Sequence, residues 1–174
     1  MKTQSHPKIL SDKAYDLIDR ELAKYPDDQK KSAVIASLAI AQREFGYISA
    51  EIEKEIANYL DLAPISVREV ARFYNMFNSK PPAKYKLVIC TNLPCALRNA
   101  NKSVDIFKNI LGVKANEITP DGLFSVHEGE CFGACADAPV VIVNNDKMHS
   151  WMNDSKIKAL LENLREDGNK KGNI

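Results

Sequence analysis

All four cysteines of the chain fall in two tight groups, Cys90 with Cys95 in "CTNLPC" and Cys131 with Cys135 in "CFGAC". The gaps within the groups are four and three residues. Four grouped thiols can bind zinc, hold an iron–sulfur cluster or exchange disulfides, and the spacing separates these chemistries. Thioredoxin-type exchange uses C-x-x-C, which is absent. Structural zinc in ribbons and fingers usually takes C-x₂-C knuckles. Wider gaps suit a larger object, a flat two-iron cluster with two thiolates per iron, and plant-type ferredoxins also use a four-residue gap. A four-iron cluster lacks its C-x₂-C-x₂-C run here, and a Rieske centre would need histidine at two ligand positions. His6, His127 and His149 do not sit at such positions. Zinc and a redox dithiol stand as alternatives on spacing alone.

The local context favours negatively charged sulfurs. Cys90 ends a predicted strand through Tyr85-Lys86-Leu87-Val88-Ile89, and Cys95 begins a predicted helical stripe. Loop amides and a helix N-terminus can therefore face the sulfurs. Pro94 suits the loop-to-helix junction. Gly133, between the second pair, lets the backbone approach without a Cβ.

The chain has 174 residues, 24 basic and 23 acidic, for a net charge of +1. That balance argues against a dedicated nucleic-acid binder. The longest apolar stretch, Ala33 to Ala41, is interrupted by Ser37 and falls well short of the ~18 residues a membrane span requires. The N-terminal MKTQSHPKIL lacks the apolar core of a signal peptide. The chain reads as cytosolic, or as lying on the cytosolic face of an assembly. In that reducing setting, grouped cysteines point to metal or redox chemistry rather than structural disulfides.

Residues 1–80 are predicted to form a four-helix bundle. Ser11-Asp12 caps a first helix through Tyr15, Ile18 and Leu22, and Pro26-Asp27-Asp28 opens a second, with Val34, Leu38, Ala41 and Phe45 on one face and Gly46 at its end. Ser49 starts a third through Ile52, Ile56 and Tyr59. Pro64 opens a fourth reaching Phe77. The last two could pass for a helix-turn-helix, but Glu51, Glu53, Glu55 and Asp61 would repel phosphates. Pro81-Pro82 marks a boundary. Residues 81–174 are predicted as an α/β domain: a strand at 85–90, one helix carrying Leu97, Ala100, Val104, Phe107 and Leu111, a strand through Leu123 and Val126 after the Asp121-Gly122 turn, a strand Val140–Val143 ended by Asn144-Asn145-Asp146, and a closing helix through Leu164. The tail EDGNKKGNI is predicted to fray. The fold class is α+β. No G-x-G-x-x-G occurs among the seven scattered glycines, so no nucleotide site is expected on this chain.

"CTNLPCALRNA", "TPDGLFSVHEGECFGACADAPVVIVNND", "REFGYIS" and "VREVARFYNMF" together resemble the thioredoxin-like [2Fe–2S] ferredoxin subunit of respiratory NADH:quinone oxidoreductase, complex I, over about residues 10–165. The resemblance implies a helical bundle followed by a thioredoxin-like domain. It also implies that Cys90, Cys95, Cys131 and Cys135 ligate one [2Fe–2S] cluster, set in two surface loops beside a partner flavoprotein that carries FMN and binds NADH. A neighbouring iron–sulfur subunit is the other implied partner. The implied role is one-electron transfer within the NADH dehydrogenase module, peripheral to the cytoplasmic side of the inner membrane, or the matrix side if mitochondrial. An equivalent diaphorase subunit of an NAD-linked hydrogenase or formate dehydrogenase is the nearest alternative, and a non-redox zinc module the more distant one. Met148, Trp151 and Met152 stand where the family commonly has Tyr and Gly.

Overall fold

The structure is a computed structural model that describes residues 8–170; His6 lies outside them. The chain divides into two compact units, Met1–Pro81 and Pro82–Ile174. Among the described residues there are seven α-helices and one mixed four-stranded sheet, an α+β architecture.

The first unit holds α1 (Asp12–Leu22), α2 (Val34–Phe45), α3 (Ala50–Leu60) and α4 (Pro64–Phe73). Ser11 and Ser49 cap α1 and α3, each hydroxyl accepting a backbone N–H from three residues on. Pro64 sits in the first turn of α4, where its missing N–H costs nothing. The apolar faces meet in a core of Ile18, Leu38, Ile56, Leu60 and Val67, all fully buried. Ser37 lies inside that core and donates to the Ala33 carbonyl at 2.8 Å. The buried Glu53 carboxylate is answered by Arg72, at 3.0 Å.

Two helix boundaries differ from expectation. No helix starts at Pro26-Asp27-Asp28. Gln29 N–H donates to the Pro26 carbonyl, closing a turn, and a 3₁₀ segment, Lys30–Ala33, leads into α2 instead. The fourth helix stops at Phe73, because Tyr74 is extended. The Gln42 amide then fixes the following chain, donating to the Met76 carbonyl at 2.9 Å and accepting from Asn78 N–H at 2.6 Å.

In the second unit β1 (Tyr85–Cys90) is central, in the sheet order β2-β1-β3-β4. It pairs parallel with β2 (Phe124–Gly129) and antiparallel with β3 (Val141–Val143), which pairs antiparallel with β4 (Lys147–His149). The parallel β1–β2 pair needs a crossover, which α5 (Leu93–Leu97) and α6 (Ala100–Leu111) supply. Leu87, Ile89, Phe124 and Val126 share one core with Val104 and Phe107 of α6 and with Ile157 and Leu161 of α7 (Asp154–Lys170).

Three expectations change here. The stripe through Leu97 and Leu111 is two helices, since Asn99 adopts φ +68°, and Leu97 is 76% exposed rather than packed. Asn144 and Asn145, with φ +55° and +54°, do more than end β3. They reverse the chain into β4, which sequence reading missed. The closing helix runs on to Lys170, past the predicted frayed point.

The end of α7 is held by Tyr85, whose hydroxyl donates to Asp167 at 2.7 Å, and by Lys84, whose Nζ donates to the Gly168 carbonyl at 2.9 Å. Burial above all, then the Asp167 hydrogen bond and charge, raises the Tyr85 phenol to about 12, from an ordinary value near 10. The folded state thus disfavours ionisation. Its contribution is intact below pH 10 and is lost as pH rises through about 12. Urea unfolding of the wild type and Tyr85→Phe across that window should show their stability difference shrinking. A difference that stays constant would break the link to this phenol.

Candidate metal centre

Cys90 is the last residue of β1, and its N–H donates to the Val140 carbonyl at 3.1 Å. Thr91 N–H reaches the Gly129 carbonyl at 3.0 Å, so the chain leaving β1 is tied to the end of β2. Cys95 follows on the short helix α5, with Pro94 in its first turn. Both cysteines are 1% exposed and pack with Ala100, Ala138 and Val140, against which Phe132 and Ala134 also lie. Beyond β2, the chain from Glu130 carries Cys131 and then Cys135, which opens a 3₁₀ turn, Cys135–Asp137. Both of these cysteines are exposed. Asn92 joins the two loops, its amide donating to Glu130 at 3.1 Å. Trp151 N–H to the Asp137 carbonyl and Met152 N–H to that of Pro139 tie the approach to α7 to the second loop, at 2.8 and 2.9 Å.

The fold therefore gathers all four cysteines at one end of β1 and β2, as two contacting pairs. Cys131 and Cys135 have their sulfurs 3.8 Å apart. Cys95 is in hydrogen-bond contact with Cys90 and within the electrostatic reach of Cys135. No three side chains of His, Cys, Asp and Glu among the described residues gather at single-ion distances. The cysteines thus lie as two thiol pairs at one end of the sheet.

The electrostatics fit a cationic guest. Burial first, then the Cys90 contact, pushes the Cys95 thiol up to about 11, and the Val140 backbone amide opposes the rise. The contact with Cys131 raises Cys135. Thiolates this close repel one another until a metal offsets them. Backbone amides already face the sulfurs: Gly133 N–H donates to Cys131 Sγ at 3.3 Å, from a φ of +76° that favours glycine.

Sequence reading identified the four cysteines, Pro94 and Gly133. It missed the Val140 amide, the Asn92–Glu130 link and the packing of Phe132. These carry no composition signal, because each depends on which loops the sheet brings together. His127 is occupied elsewhere, its Nδ1 at 2.8 Å from Asn116 and its Nε2 at 3.0 Å from Ser125.

The second numbered subunit of the NADH-quinone oxidoreductase of Thermus thermophilus is 37% identical over 88% of this chain and 85% of its own length. A subunit of the NADH-quinone oxidoreductase of Rickettsia bellii is 39% identical, over 84% of this chain and 87% of its own. Among solved structures, an NAD⁺-reducing [NiFe]-hydrogenase in the H₂-reduced state shares the fold, with a TM-score of 0.66 at 20% identity. That match covers 76% of this chain but 22% of the longer hydrogenase chain. Residues 18–165 match the sequence profile of one family, and with both cysteine pairs inside that span the chain belongs to the thioredoxin-like [2Fe–2S] ferredoxins.

Proposed function

We propose that Cys90, Cys95, Cys131 and Cys135 ligate one [2Fe–2S] cluster, and that the chain is the electron-transfer subunit of the NADH dehydrogenase module of an NADH:quinone oxidoreductase. The observation that carries the ligand assignment is the arrangement of the four cysteines as two contacting pairs, Cys90 with Cys95 and Cys131 with Cys135. The names of relatives aligned over most of their own length support the assignment to that module. Bound there, the cluster supplies one-electron chemistry at a potential on the order of −400 mV.

The chain's residues shape that chemistry. Ala100, Ala138 and Val140 keep water from the Cys90–Cys95 side. The amides of Gly133 and Val140 donate to sulfur and so favour added negative charge. Cys131 and Cys135 face outward, where an electron can be exchanged with FMN on the partner flavoprotein, which also binds NADH. A neighbouring iron–sulfur subunit completes the setting. Residues 81–174 form the ferredoxin domain, and residues 1–80 serve assembly. No helix among the described residues is long and apolar enough to cross a membrane. This suits peripheral attachment on the cytoplasmic side of the inner membrane, or the matrix side in a mitochondrion. The diaphorase alternative draws on fold likeness alone for a hydrogenase, and on the sequence resemblance for a formate dehydrogenase.

Purification of the full chain from its native source, with partners attached, tests the assignment. Copurification with a flavin-bearing subunit and quinone-reducing activity supports it, and copurification with hydrogenase or formate dehydrogenase subunits overturns it. Within the leader, Phe73 and Ile65 of α4 are 80% and 65% exposed, whereas the nearby Phe77 is buried. These apolar groups fit a contact with the flavoprotein. Phe73→Asp should leave iron content and helicity unchanged and weaken partner retention by about tenfold or more. Undiminished copurification would place the contact elsewhere.

A further inference from the structure

The two cysteine pairs differ sharply in access. Cys90 and Cys95 are each 1% exposed beneath Ala100, Ala138 and Val140, while Cys131 and Cys135 are open to solvent. The sulfurs of the open pair are 3.8 Å apart, on a loop of three intervening residues. A disulfide needs ~2.05 Å, so these sulfurs have less than ~2 Å further to close. Gly133 N–H donates to Cys131 Sγ at 3.3 Å. The open pair thus has two sulfurs in contact and free access for a small reagent.

We infer that, in the cluster-free chain, Cys131 and Cys135 form a redox-active dithiol that low-molecular-weight disulfides convert to an intraloop disulfide. The Cys131 thiolate attacks one sulfur of the reagent RSSR. A Cys131–S–S–R bond forms, and RS⁻ leaves. The Cys135 thiolate then attacks the Cys131 sulfur and displaces the second RS⁻. The two cysteine protons pass to the two departing thiolates. Two protein thiols are oxidised, one external disulfide is reduced to two RSH, and atoms and electrons balance. Buried Cys90 and Cys95 take no part. The consequence rests on the cluster assignment above: an oxidised loop offers no thiolates to iron, so cluster uptake waits for a reductant.

The test uses the full cluster-free chain and oxidised glutathione. After treatment under native conditions, iodoacetamide is applied before and after unfolding, and tryptic peptides are weighed. The segment bearing Cys131 and Cys135 should lose the mass of two hydrogens and resist alkylation. The segment bearing Cys90 and Cys95 should keep its mass and alkylate more than about tenfold faster once unfolded. Cys135→Ser should stop at a stable glutathione adduct on Cys131. A cross-link between the two segments, a persistent glutathione adduct on the wild type, or equal native alkylation of all four cysteines would overturn the inference. Iron and sulfide are then offered to both forms. Uptake by the reduced form and refusal by the oxidised form, reversed by dithiothreitol, is the expected result. If the disulfide forms but the reduced chain refuses iron, the cluster assignment fails and the dithiol assignment stands. If the reduced chain takes up iron but no disulfide forms, the reverse holds.

Discussion

Replacing Cys95 with alanine should reduce cluster content by well over tenfold while leaving the fold in place. Cys95 is 1% exposed, so no water replaces its sulfur easily, and Cys90 alone would serve one iron. Second-layer changes at metal sites already cost about 10–100-fold in affinity, and loss of a ligand costs more. The structural cost is small by comparison. The lost sulfur leaves a small cavity among Ala100, Ala138 and Val140, on the order of 1 kcal/mol. Iron per folded chain, read beside circular dichroism, separates the two effects. Retention of iron would remove Cys95 from the ligand set. Cys131→Ser should be milder, because Cys131 is exposed and a hydroxyl or water can take the vacant position.

The second large effect is on the scaffold. Phe107 lies fully buried on α6, in the core it shares with Leu87, Phe124, Ile157 and Leu161. Phe107→Ala should cost about 3–5 kcal/mol, the transfer free energy of the ring plus the cavity it leaves. Domains of this size have only ~5–15 kcal/mol in total. The midpoint of the second unit should therefore fall by on the order of 20 °C. Trp151, the single tryptophan, is in that unit and reports it by fluorescence. A loss below about 1 kcal/mol would mean that the ring is not part of a close-packed core.

Much of this was legible because periodicity and caps are local. Ser11, Ser49 and Pro64 mark helix starts with their own side chains, and the apolar run before Cys90 is a central strand. What escaped depends on long-range partners. The end of the fourth helix at Phe73 is set by Gln42, distant in sequence. The persistence of α7 is set by Tyr85 and Lys84 reaching its last turns. β4 is too short to show alternation, and its only local signal was the Asn144-Asn145 pair. At the candidate metal centre the four cysteines could be read directly. The division into a buried and an open pair could not, because it follows from which residues the sheet lays over Cys90 and Cys95.

We propose that these four thiols hold two irons and not one zinc. Iron, zinc and acid-labile sulfide should be measured on the full chain, with the visible spectrum and the EPR spectrum after reduction. About two irons and two sulfides per chain, a reddish-brown colour and a reduced-state signal are expected. A colourless protein carrying stoichiometric zinc and no sulfide would contradict it.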